Sequence, residues 1–206
     1  MTLDKLKYGA INNKKIILFL LGLSIVGVIC GSLFMTIISK TDQTMVKNYM
    51  MEYMVNLNHI NFKNVLFNSL ITNLFFIISI WLLGISVIGV PIIVFMYFSK
   101  IFTLGFSISS FILTYKFKGL LISLIYIFPI QILNIGLYTL ITLYAIKISS
   151  NLIYSIFNKK EVNFKSIINK YIKILMICII ACLISVLYEN TVLPFLLNKL
   201  ILLLKI

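Results

Sequence analysis

The chain has 206 residues, 61 % of them apolar and 11 % charged, and a formal net charge of +13. Soluble domains carry about 25 % charged residues, so too few polar side chains exist here to cover a water-facing surface, and a soluble globular protein is excluded. All 18 cationic residues are lysine; without arginine's planar forks the charge speaks against nucleic acid and reads instead as membrane topology.

The pattern predicts an all-α, polytopic membrane bundle of about five spans, forming one domain over 1–206. Residues 1–15 carry Lys5, Lys7, Lys14 and Lys15 against Asp4, net +3, and are expected in the cytoplasm. The 24 uncharged residues 16–39 exceed the ~20 that a span needs and form span 1, a retained signal anchor. Gly27 and Gly31 within it make a small-xxx-small pattern that lets a second helix approach closely.

Residues 40–64 follow outside the cell. Met45, Val46, Tyr49, Met50, Tyr53, Met54 and Leu57 recur at three and four, with Lys47, Asn48, Glu52 and Asn56 between them. That is an amphipathic helix starting near Asp42. Its apolar side suits either lipid and intramolecular packing or an adaptable partner surface, with Tyr49, Tyr53 and Met54 at its centre.

Thirty-six uncharged residues then separate Lys63 from Lys100. As one helix they would reach roughly 54 Å, far beyond a hydrocarbon core of about 30 Å. Gly84, Gly89 and Pro91 are helix breakers, so 65–115 is expected as spans 2 and 3, turning at Gly84–Pro91 and placing Lys100 mid-span. The alternative is one long kinked helix with a re-entrant piece after Lys100. Residues 119–146 form span 4, kinked at Pro129, with Gln131 and Asn134 on one face. Lys147 to Lys173 holds six lysines against Glu161, net +5, so 147–170 is expected in the cytoplasm. Residues 171–188 form span 5, and 189–206 an outer tail.

Little in this sequence is equipped for chemistry. His59 is the single histidine, so no triad or zinc-protease pattern exists. Cys30, Cys178 and Cys182 lack a neighbouring base and read as small apolar residues. All five carboxylates are expected outside the spans, against a proton relay. No phosphate-cradling glycine loop occurs. The expectation is therefore no catalytic residue, no metal and no cofactor. Among the intramembrane polar residues Asn68, Asn73, Lys100, Gln131 and Asn134, the lysine is either a functional residue or a snorkelling or carbonyl-bound structural one, and the amides read as interhelical glue.

The ordered set Trp81, Gly84, Gly89, Pro91, Lys100, Gly105, Gly119 and Pro129 resembles the stage II sporulation protein M family. The likeness is densest over Trp81 to Gly136 and looser over the five-span layout. One departure is Pro129-Ile130-Gln131, where the family pattern reads Pro-Gln-Asn. The resemblance implies a non-enzymatic scaffold in the bacterial cell membrane, enriched at the sporulation septum. It would recruit two peptidoglycan hydrolases for engulfment of the forespore: stage II sporulation protein D, a lytic transglycosylase, and protein P, an amidase/endopeptidase. The rival reading is a small permease or an accessory transporter subunit, with the Gly84–Pro91 break and Lys100 as its substrate site.

Overall fold

The computed structural model describes residues 13–56, 62–86, 88–158 and 164–204. The first helix, α1 (Asn13–Ile37), is uncharged after Lys15 and has the highest mean hydropathy of the apolar helices, 2.7. Its buried residues, Ile16, Leu20, Gly27, Gly31 and Met35, fall on one narrow stripe, because side chains three and four apart share a face. Leu18, Ile25 and Ile37 around the rest of the cylinder are exposed, as a lipid-facing helix requires.

A short joint leads to α2 (Lys40–Asn56), which begins two residues before the expected Asp42. Ser39 supplies the reason. Its Oγ accepts from the Asp42 backbone N–H at 3.1 Å and donates to Asp42 Oδ2 at 2.7 Å, so two groups at the helix start are satisfied at once. The Gln43 amide reaches back to the carbonyls of Met35, Thr36 and Ile38 at 3.3, 3.4 and 3.3 Å, oxygens left without partners where α1 ends. Met50 packs on a small cluster of Phe111, Ile122 and Ile127, which seats α2 against the next long helices. Tyr49 and Met45, on the expected apolar face, are exposed.

Helix α3 (Phe62–Gly84) and helix α4 (Gly89–Ile122) are separate elements, so the chain turns here and does not continue as one kinked rod. The glycines here serve close approach and not an unusual backbone, since no glycine among the described residues has positive φ. A β-carbon on Gly84 would overlap the Tyr171 hydroxyl, and one on Gly89 would overlap the Leu83 carbonyl oxygen. Ser149 Oγ donates to the Ser86 carbonyl at 2.6 Å and ties the turn to the bundle. Pro91 is the third residue of α4, where its missing N–H is one of the unpaired donors of any helix start.

Beyond Tyr115 the path departs from a straight span. Lys116 adopts φ 51° and ψ −127°, a break inside α4. A π turn, Ser123–Ile127, then leads into α5 (Phe128–Asn158). Wide i→i+5 turns are local faults in a helix, and this one directly precedes Pro129, which has no N–H for the regular ladder. Helix α5 continues past Lys147 to Asn158, into the stretch expected in the cytoplasm. Half of its apolar window is buried, against 22 % for α1, so α5 is the central helix.

Helix α6 (Phe164–Leu204) is 41 residues long and uninterrupted. No break separates the expected span at 171–188 from the residues after it: helix continues through Glu189 to Leu204, glutamate having ordinary helix propensity. The main core joins Ile77, Ile80, Ile93, Tyr97, Tyr138, Ile141, Cys178 and Cys182. A polar seam crosses it, from Ser24 Oγ to the Tyr97 hydroxyl at 2.7 Å and on to Thr139 Oγ1 at 2.8 Å.

Candidate functional site

Asn68, Ser69, Thr72 and Asn73 recur at one and four along α3 and so share a face. Gln131, Asn134 and Tyr138 follow at three and four on α5. With Lys100 of α4 and Glu189 of α6 they line a cavity of about 380 Å³. Lys100 sits eleven residues into α4, roughly 16 Å along the helix.

The Lys100 ammonium lies 5.4 Å from the centroid of the Phe76 ring and 5.5 Å from that of Tyr138. Such faces attract a cation by their quadrupole. The two rings meet edge to face, centroids 4.7 Å apart. The Tyr138 hydroxyl donates to Asn73 Oδ1 at 2.5 Å, and Ser185 Oγ donates to Asn134 Oδ1 at 2.7 Å. Ser69 Oγ donates to Glu189 Oε2 at 3.2 Å. Among the described residues no carboxylate reaches Lys100 as an ion pair; its recorded contacts are the two rings.

Glu189 is the residue that the sequence reading missed. It falls within the candidate span Ile167–Val192 of α6, beyond the end of the span expected at 171–188. A signal was present: Ser185 and Glu189 follow at four and so share a face of α6. Lys100, Gln131 and Asn134 do converge, joined by Asn73 and the unforeseen Glu189.

The other expected positions lie apart from this cavity. Gly27 and Gly31 face α4, where a β-carbon on Gly27 would come within 3.0 Å of the Ile101 side chain. A β-carbon on Gly105 would overlap the Val28 carbonyl in return, so the seam is small on both sides. Gly84, Gly89 and Pro91 form the turn. Pro129 enters α5, and its side chain lies outside the described residues, as do those of Tyr53 and Met54 and all of His59. Tyr49 is 70 % exposed. No group of three His, Cys, Asp or Glu gathers among the described residues as metal ligands.

Five apolar helices long enough to cross a bilayer, packed around one another with no strand among the described residues, define a polytopic α-helical membrane protein. Its sequence matches the family model for stage II sporulation protein M over residues 12–194. The chain belongs to that family, which gives it a non-enzymatic membrane role in sporulation and engulfment. No curated protein and no solved structure matches it.

Proposed function

We propose that the protein is a scaffold that recruits peptidoglycan hydrolases to the septal membrane during engulfment. The observation that carries this reading is the family match over 12–194; any bond cleavage in the wall then belongs to partners. The partners are stage II sporulation protein D, the transglycosylase, and protein P, the amidase/endopeptidase. In this reading the N-terminus is cytoplasmic and the C-terminus extracytoplasmic, because the strongest lysine flanks, 1–15 and 147–173, stay inside. The 40–64 segment then faces the wall, with Tyr49, Tyr53 and Met54 offered to a partner. Affinity purification from sporulating cells in mild detergent tests the reading. Co-purification of proteins D and P is expected, and their absence from a well-recovered sample overturns it.

A second reading, a small permease or accessory subunit, gains one argument from Lys100 and Glu189 in a shared cavity within the spans, since ionisable residues there mark solute paths in transporters. Co-purification of an ATPase subunit in place of the hydrolases would favour it.

A further inference from the structure

We propose that the cavity between α3, α4, α5 and α6 binds a small zwitterion, with the ligand's anionic group at Lys100 and its ammonium at Glu189. This goes beyond the scaffold reading and does not depend on it.

Charge and geometry lead to this ligand class. Lys100 and Glu189 line one space of about 380 Å³, yet they do not close on each other as an ion pair. The lysine's recorded contacts are two aromatic faces, which accept none of its three N–H donors as a carboxylate would. Glu189 receives one hydrogen bond, from Ser69 to Oε2. Ionised groups taken out of water need partners for their remaining donors and lone pairs. One lysine and one glutamate make the site neutral as a whole. A ligand of net charge would leave one of them opposed, whereas a molecule carrying both signs completes both.

The volume lies within the roughly 300–1,000 Å³ of small-molecule sites and suits a headgroup or a small solute. Asn73 and Asn134 present their carbonyl oxygens to Tyr138 and Ser185, which leaves their NH₂ groups as donors. Asn68 and Thr72 both line the cavity and are exposed, so the space opens past α3. The shared chemistry is an ammonium a few bonds from a phosphate or carboxylate. A phosphatidylethanolamine headgroup and a free small zwitterion both have it.

Full-length protein purified in detergent would be titrated with short-chain phosphatidylethanolamine, soluble glycerophosphoethanolamine and short-chain phosphatidylglycerol. Bound ligand is read by native mass spectrometry and thermal shift. At least one ethanolamine compound should bind roughly ten-fold or more tightly than phosphatidylglycerol, and Lys100→Gln and Glu189→Gln should each remove that preference, as loss of a hydrogen bond to a charged group implies. Binding of the lipid alone identifies a bilayer headgroup as the occupant, and binding of the soluble compound as well identifies a free solute. Absence of ethanolamine binding, equal binding of phosphatidylglycerol, or a preference that survives both substitutions overturns the proposal. If neither variant folds, the wild-type preference between ethanolamine and glycerol headgroups decides alone.

Discussion

Gly31 of α1 lies directly beneath the backbone carbonyl of Phe102 in α4, so close that a β-carbon on the glycine would overlap the oxygen. Backbone meets backbone at that point. Across a lipid-embedded interface no hydrophobic force drives two helices together, and dense packing between small residues must do it. Ser109 Oγ adds a hydrogen bond to the Ser32 carbonyl at 3.1 Å across the same seam.

Gly31→Leu should therefore destabilise the protein by about 1–3 kcal/mol, the range for forcing bulk into a packed contact. Thermal denaturation in detergent reads the effect. Gly22 is the control, because a β-carbon there meets nothing within 4 Å. Equal stability of Gly31→Leu and Gly22→Leu would contradict the packing account.

The turn between α3 and α4 separates two kinds of helix breaker. Gly89→Leu should lower stability and membrane abundance, because the Leu83 carbonyl occupies the space. Pro91→Ala should cost at most about 1 kcal/mol, since its place in the first turn of α4 sacrifices no hydrogen bond and the change acts mainly through the unfolded chain. Abundance in membranes, followed by denaturation of the purified variants, ranks the two; a more damaging Pro91→Ala would require a different turn.

Tyr49 offers a clean test of docking. It is exposed, whereas neighbouring Met50 packs on the cluster of Phe111, Ile122 and Ile127. Tyr49→Ser should change stability by no more than about 0.5 kcal/mol, as exposed positions do, while reducing hydrolase co-purification. Met50→Ala should lower stability first. Full recruitment by a triple Ser variant at Tyr49, Tyr53 and Met54 would remove this helix from the interface.

Orientation is measurable with a single cysteine. In a background lacking Cys30, Cys178 and Cys182, a cysteine at Asn163 should resist an impermeant thiol reagent added to intact cells and react after permeabilisation. A cysteine at Lys47 should show the reverse. Labelling of position 163 from outside would invert the whole arrangement.

Much of the bundle was legible because long uncharged runs have few physical options in a protein this apolar. The runs after Lys15 and Lys63 gave α1 and α3, and Gly84 with Gly89 marked where the second run turns. Glu189 was not legible by the same rule. A lone carboxylate near the end of an apolar run reads as its boundary, yet this one accepts from Ser69, a placement that depends on α3 being beside α6. Lys116 escaped too, because no local residue preference announces a positive φ at a lysine. Ser39 was the opposite case, since Ser39-x-x-Asp42 is itself a local capping pattern.

The amide of Gln43 holds the end of α1 while Met50, two turns further on, rests on Phe111, Ile122 and Ile127. Helix α2 is thus clamped at its root and propped along its length. A pull on its exposed side would not simply swing a loose arm. The load would pass through the Gln43 elbow into α1, and from α1 through the glycine seam into α4, the helix that bears Lys100.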